Sequence, residues 1–286
     1  MVSTLVSSLW LRQQITNGLR HIKILNASSQ SDKAHQEFLE ERLPNSAFFD
    51  ISAISDQSSR YPDMLPRAEE FANHVMELGV SNDSHVVVYD NNEKFGLFTA
   101  PRVWWMFRAF GHPHISVLDG GLLHWKTQGY PIEQGPSDEV GKGNFEAELN
   151  GDLVRSFEQM REILAANSSQ VLDARSGGRF GGTEPEPRPE LPSGHMIGAL
   201  NIPFKDLINE DTKLFKSKEQ LQEVFQAAGV NTHEPMVSTC GSGITAGIIA
   251  MAAHIALNKN IPVYDGSWTE WVQRAPGETL FKAKEE

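Results

Sequence analysis

Cysteine is almost missing from this chain, because Cys240 is the only one among 286 residues. A single cysteine excludes an intramolecular disulfide, a zinc site built from several cysteines and a two-cysteine redox motif. Positive charge is also scarce, with 25 Lys and Arg residues against 37 Asp and Glu residues. The resulting net charge of −12 argues against nucleic acid or an anionic membrane surface as the main partner.

Long apolar runs are missing too, and none reaches the length of a transmembrane helix, so no membrane partner is predicted. The apolar fraction of 40% and the charged fraction of 22% are typical of a soluble globular protein. Residues 1–31 contain few acids, as mitochondrial transit peptides do, but a strand pattern at 22–25 favours a folded opening. The lone thiol fits a reducing compartment. We therefore expect a cytoplasmic protein, with the mitochondrion as the alternative.

The lone cysteine lies between two strong patterns. The apolar run 235–239 predicts a strand before it, and the run 244–258 predicts a helix after it. Backbone N–H groups and the helix dipole favour an anion at the amino end of a helix, and the thiolate is the reactive form of cysteine. The pattern predicts that Cys240 is a nucleophile open to a small ligand; the alternative is an inert core cysteine. The candidate active loop continues through Gly241, Ser242, Gly243, Ile244 and Thr245.

The two halves of the chain repeat each other at a nearly constant offset. The matching segments are 24–27 with 171–174, 86–90 with 236–240, and 117–121 with 263–267. Such a repeat is the sequence signature of a duplicated domain. Asp90 stands where the second half has Cys240, so the first half is predicted to lack the active-site cysteine.

Each half alternates short apolar strands with helical patterns, which predicts an α/β fold with a mainly parallel sheet flanked by helices. In the second half we predict strands at 171–173, 199–202, 236–239 and 262–264, and helices at 157–166, 218–228 and 244–258. A segment rich in Gly, Pro, Ser and charge predicts a linker. The predicted parts are an N-terminal domain at 1–135, a linker at 136–150 and a catalytic domain at 151–286.

Several motifs in this chain resemble the two-domain rhodanese-type sulfurtransferases. They are Cys-Gly-Ser-Gly-Ile-Thr-Ala at 240–246, the segments Gly-Arg-Phe at 178–180 and Gly-Thr-Glu-Pro-Glu-Pro-Arg at 182–188, and the Asp-Gly turns of the repeat. The active loop is most similar to the branch that takes sulfur from 3-mercaptopyruvate, whereas thiosulfate-using members resemble Cys-Arg-Lys-Gly. The resemblance implies two tandem rhodanese-like domains.

The resemblance also implies a reaction. Cys240 takes the sulfur of 3-mercaptopyruvate as a persulfide, pyruvate leaves, and thioredoxin, a small thiol or cyanide accepts the sulfur. No cofactor and no metal are implied. Arg179 and Arg188 match the family's substrate arginines, and a planar guanidinium suits a keto-acid carboxylate. From spacing alone, these two arginines serve equally well to balance the acids of the same segment, Glu184, Glu186 and Glu190.

Two further residues beside these arginines are predicted to be structural. Arg175 directly follows the strand pattern 171–174 and is expected to pair with a neighbouring acid. His195 matches a family position that supports the fold by hydrogen bonding.

Two positions depart from the family. Members of the family carry a Ser–His–Asp arrangement, and this chain keeps only the serine, Ser242. Asp63 stands in place of the histidine and Ser52 in place of the aspartate. We therefore do not propose that arrangement. These changes keep open a sulfur-carrier or interaction module with weak activity, and a thiosulfate:cyanide sulfurtransferase is the other alternative. A cysteine phosphatase is disfavoured, because Ala246 occupies the position where such enzymes hold phosphate with an arginine.

Overall fold

The computed structural model describes residues 2–19, 21–28, 31–138, 140–275, 277 and 280–281. The chain divides into two compact units. Unit 1 consists of Met1–Asn150 with Ile208–Phe215, and unit 2 of Gly151–Leu207 with Lys216–Glu286. In the described part of the chain, no helix combines the length and the apolar character needed to cross a membrane.

Unit 1 contains a five-stranded sheet with helices. Its strands are β1 (Leu5–Val6), β2 (Ile22–Ser28), β3 (Ser46–Asp50), β4 (His85–Tyr89) and β5 (Ile115–Leu118). Its helices are α1 (Ser8–Thr16), α2 (Ser31–Glu40), α3 (Ile51–Ile54), α4 (Ala68–Glu77), α5 (Ala100–Ala109) and α6 (Gly121–Thr127). All strand pairs are parallel, in the order β1-β5-β4-β2-β3. β4 is a nearly continuous apolar run because both faces of a parallel sheet are covered.

Unit 2 repeats this plan. Its strands are β6 (Val154–Arg155), β7 (Gln170–Asp173), β8 (His195–Met196), β9 (Leu200–Asn201), β10 (Met236–Thr239), β11 (Val263–Tyr264) and β12 (Leu280–Phe281). Its helices are α7 (Phe157–Ala166), α8 (Gly177–Gly181), α9 (Lys218–Ala227), α10 (Ala246–Leu257) and α11 (Ser267–Arg274), with short 3-10 turns at Gly151–Leu153 and Phe204–Leu207. The main sheet is parallel in the order β6-β11-β10-β7-β9, and β12 pairs antiparallel with β8.

The predicted duplication and the predicted α/β class are confirmed. The two sheets have the same strand order. In the second sheet, β10 takes the central position of β4, β7 takes that of β2 and β11 takes that of β5. Asp90 and Cys240 therefore follow equivalent strands. Residues 136–150 belong to unit 1, and so does the segment Ile208–Phe215, for which the sequence contained no signal.

Local capping explains which helix boundaries were predictable. α7 and α9 begin at the predicted residues because Ser156 and Ser217 each form a capping box with a glutamine three residues later. α10 begins at Ala246 instead of residue 244, since Gly243 lies in the left-handed region with φ +86° and interrupts the helical path. The strands predicted at 199–202 and 262–264 are shorter, Leu200–Asn201 and Val263–Tyr264, and α9 ends one residue earlier.

Candidate active site

Cys240 is the first residue after the buried strand β10. It is only 2% exposed, so the expectation of an openly accessible thiol is wrong for this structure. The reason is the path of the loop, which turns back over the sulfur and buries Gly243, Ile244 and Thr245. The backbone N–H of Gly243 donates to Sγ of Cys240 at 3.1 Å. The sulfur is therefore enclosed, but beside a polar donor rather than in hydrocarbon alone.

The amino end of α11 fixes the backbone of this loop. Oγ of Ser267 accepts the N–H of Cys240 at 3.1 Å and donates to the carbonyl of Tyr264 at 2.8 Å. The carbonyl of Gly241 accepts both the N–H and the hydroxyl of Thr269, at 2.9 and 2.7 Å. Ser267 was missed in the sequence, although it stands at the third position of the repeated Asp-Gly turn, where the first half has Gly121.

Arg175 confirms its predicted structural role. Its side chain is fully buried and donates to both oxygens of Asp173, to Oε1 of Glu186 at 2.8 Å and to the carbonyl of Gly194 at 2.6 Å. The guanidinium carbon also lies 4.4 Å from the ring centroid of Trp268. These contacts hold the carboxyl end of β7 beside the segment that carries the two candidate substrate arginines.

Arg179 is brought to the Cys240 loop. It lies in the five-residue helix α8, which Ser176 caps. Its Nη2 and Nε donate to Oε2 of Glu186 at 2.5 and 3.2 Å. Nη2 also lies 2.8 Å from the point where a Cβ atom on Gly241 would stand. From the sequence, Glu186 was interpreted only as an acid that balances the charge of the arginines in its segment. No spacing rule indicated that it links Arg175 with Arg179.

Arg188 is not part of this network. It is half-buried, and within the described residues its guanidinium makes no hydrogen bond and no ion pair. Its predicted role in substrate binding stays a prediction. His195 has the expected structural role. Its Nδ1–H donates to the carbonyl of Phe180 at 2.8 Å, and the two rings stack with their centroids 3.8 Å apart.

The equivalent position in unit 1 carries a carboxylate. Oδ1 of Asp90 accepts the N–H of Thr99 at 2.8 Å, and Oδ2 accepts those of Phe98 and Ala100 at 2.9 and 3.0 Å. The amino end of α5 is thus filled by an internal anion, although burial raises the pKa of Asp90. A cavity of about 680 Å³ opens beside it, and its lining carries five acidic residues and three lysines.

The two residues that depart from the family have local roles in unit 1. The N–H of Ser52 donates to Oδ1 of Asp50 at 2.9 Å, in the cap of α3. Asp63 lies in the left-handed region with φ +60°, and its carbonyl accepts a 2.5 Å hydrogen bond from the buried Arg102. These contacts give no reason to restore the Ser–His–Asp arrangement.

Comparison with known proteins agrees with the architecture. The family model for the Rhodanese-like domain matches residues 9–128 and 156–274. The chain is 43% identical over 283 residues to 3-mercaptopyruvate sulfurtransferase of Homo sapiens, covering 97% of this chain and 94% of that protein. It is also 43% identical over 281 residues to thiosulfate sulfurtransferase of Rattus norvegicus, covering 96% and 94%.

A solved structure shows the same likeness. The crystal structure of SseA from Escherichia coli, described as a 3-mercaptopyruvate sulfotransferase, is 36% identical and matches with a TM-score of 0.82. The match covers 93% of this chain and 99% of SseA. The chain belongs to the sulfurtransferases that are built from two rhodanese-like domains.

Proposed function

We propose that this sulfurtransferase takes the sulfur of 3-mercaptopyruvate onto Cys240 as a persulfide, releases pyruvate, and passes the sulfur to a thiol acceptor or cyanide. Overall identity does not choose the donor, because the relatives named for 3-mercaptopyruvate and for thiosulfate are equally similar at 43%. The active loop and its surroundings supply the distinction.

The observation that carries the proposal is the position of one guanidinium against an uncharged loop. Residues 241–245 carry no charged side chain, and Arg179 approaches the loop at Gly241, where there is no side chain to displace it. A single planar guanidinium suits a carboxylate, which it can hold with two parallel hydrogen bonds. The arrangement therefore fits a donor that carries one carboxylate better than thiosulfate, which is a dianion with three tetrahedrally arranged oxygens.

The chemistry follows from these groups. The Cys240 thiolate attacks the sulfur of 3-mercaptopyruvate, the carbon–sulfur bond breaks, and the electron pair remains on carbon as the pyruvate enolate. Protonation gives pyruvate, and the persulfide stays on Cys240. An acceptor thiolate then attacks the outer sulfur and releases the Cys240 thiolate; cyanide in the same role gives thiocyanate. The N–H of Gly243 is placed to stabilise the negative charge on the inner sulfur.

A comparison of two donors tests the proposal. With cyanide as acceptor, we expect kcat/KM for 3-mercaptopyruvate to exceed that for thiosulfate by at least about tenfold. Cys240→Ala should abolish turnover of both donors. A preference for thiosulfate would favour the alternative function. Release of at most one pyruvate per chain, with no steady-state turnover, would favour a sulfur carrier. Thioredoxin or a small thiol as the acceptor is part of this proposal, and the cytoplasmic location stays a prediction.

A further inference from the structure

Glu186 is an unusual neighbour for an anion-binding arginine. Its side chain is only 3% exposed and is shared by two guanidinium groups, with Oε1 on Arg175 and Oε2 on Arg179. A carboxylate beside a site for an anionic donor weakens the local positive potential. Attraction of the anionic donor therefore does not explain why Glu186 is present at this position.

Charge balance at Arg175 does not provide that explanation. Asp173 already holds Arg175 through both carboxylate oxygens. The second carboxylate, Glu186, is the partner that Arg179 contacts through Nη2 and Nε. Glu186 thus connects a fixed, fully buried arginine to one whose side chain is 24% exposed.

The contact uses one particular edge of the Arg179 guanidinium. Glu186 occupies the edge formed by Nε and Nη2, and Nη1 makes no hydrogen bond with the described residues. A guanidinium has five N–H donors in a rigid fork, so the end formed by Nη1 and Nη2 retains donors for a second carboxylate. Holding the Nε edge orients that end while Nη2 lies against Gly241.

We propose that Glu186 is a positioning residue, which holds Arg179 by its Nε edge against the Cys240 loop and thereby orients the remaining donors toward the carboxylate of the sulfur donor. This inference rests on the proposed function for its substrate. Glu186 does not contact the donor and acts through Arg179.

A double-mutant cycle tests this role. Glu186→Gln keeps the length of the side chain but presents an N–H₂ donor to one of the two guanidinium groups, so the link between Arg175 and Arg179 through residue 186 is broken. We expect KM for 3-mercaptopyruvate to rise by about tenfold, kcat to change less than about threefold, and the double variant to match Arg179→Gln alone. An effect of Glu186→Gln that simply adds to that of Arg179→Gln would overturn the proposal.

Matched variants separate geometry from charge and from folding. Glu190→Gln removes one negative charge from the same segment at an exposed residue that has no ion pair in the described structure, and it should leave KM unchanged. Glu186→Asp keeps the charge but is one methylene shorter, so it should also raise KM. If Glu186→Gln does not fold, the same cycle is run with Glu186→Asp, and the same lack of additivity is expected.

Alkylation of the single cysteine provides a readout that does not depend on sulfur transfer. The rate with anionic iodoacetate divided by the rate with neutral iodoacetamide reports whether a cation is held beside Cys240. We expect this ratio to fall in Glu186→Gln and Glu186→Asp but not in Glu190→Gln. A ratio that rises or stays constant in Glu186→Gln would overturn the positioning role. A wild-type protein that releases no pyruvate, but shows the expected alkylation pattern, would instead overturn only the proposed function.

Discussion

At the scale of single residues, the site depends on the close approach of a guanidinium to a backbone without a side chain. Nη2 of Arg179 lies 2.8 Å from the position that a Cβ atom would take on Gly241. Real Cβ atoms do not tolerate such a contact, so one of the two groups must move if a methyl group is added. Because Glu186 holds Arg179, the added group acts against an ion pair that is largely buried.

Replacement of Gly241 by alanine should therefore weaken donor binding. We expect Gly241→Ala to raise KM for 3-mercaptopyruvate by about threefold to tenfold, with a smaller effect on kcat, because Arg179 is displaced. Steady-state pyruvate release measures both constants. Gly181→Ala is the matched control, since a Cβ atom there has no neighbour within 4 Å. Equal KM values for the two variants would contradict the position assigned to Arg179.

The residues of the site differ in how far they could be predicted. Cys240 is evident because it is the only thiol and stands between a strand pattern and a helix pattern. Arg175 was predictable as structural because it directly follows a buried strand. Glu186 and Ser267 were not. No spacing rule in a loop links Glu186 to Arg175 and Arg179, and Ser267 accepts the backbone N–H of Cys240, which is 27 residues away. Nothing in a single sequence indicated that the loop would enclose its own sulfur.

At the scale of elements, the ends of the parallel strands carry the polar groups. Asp119 directly follows β5, and its Oδ1 accepts the N–H of Phe215 at 2.8 Å, in the segment Ile208–Phe215. Burial raises the pKa of Asp119 to about 6, although the hydrogen bonds from Phe215 and Gly120 favour the ionised form. The folded state thus holds the proton more tightly than the unfolded chain does.

Asp119→Asn should change the pH dependence of stability. An asparagine is neutral, and its oxygen still accepts the N–H of Phe215. Since the ionised carboxylate is disfavoured in the fold, the variant should gain up to about 3 kcal/mol relative to the wild type near pH 7, where Asp119 is ionised. This advantage should shrink as the pH falls through about 6 and be lost near the ordinary pKa of 3.8.

Urea unfolding of both proteins across that pH range measures the difference in the free energy of unfolding. A difference that does not vary with pH would show that the charge on Asp119 has no linkage to folding. A difference that grows toward acid pH would contradict the predicted direction of the effect.

Elements were predictable wherever a local signal defined them. α7 and α9 were located to within a residue because serine caps and apolar spacing coincide. α8 was not predicted, because it is short and begins in a glycine-containing turn without a long apolar stripe. The start of α10 was misplaced by two residues because the apolar run begins at Ile244, directly after the left-handed turn at Gly243, whereas the helix begins at Ala246.

At the scale of the whole molecule, one fold has been used twice with different groups at the same strand end. The two sheets share one strand order, and Asp90 follows β4 as Cys240 follows β10. In unit 1 the amino end of α5 binds an internal carboxylate through three backbone N–H groups. In unit 2 the corresponding loop closes around the sulfur of Cys240. The duplication was visible in the sequence, but only the structure shows that Asp90 occupies the amino end of α5 in unit 1.

Net charge also acts at this scale. A chain of net charge −12 repels an anionic donor at long range, so binding depends on local cations. The structure places one such cation, Arg179, against the Cys240 loop, while the guanidinium of Arg188, in the same segment, makes no hydrogen bond and no ion pair with the described residues.

The central claim is that sulfur from 3-mercaptopyruvate becomes covalently attached to Cys240. Mass spectrometry of the protein, incubated with 3-mercaptopyruvate without an acceptor and then digested, tests it most directly. We predict that the peptide containing Cys240 gains the mass of one sulfur atom, that cyanide removes this mass, and that one pyruvate is released per chain modified. An unmodified Cys240 peptide in a sample that has released one or more pyruvates per chain would contradict the account.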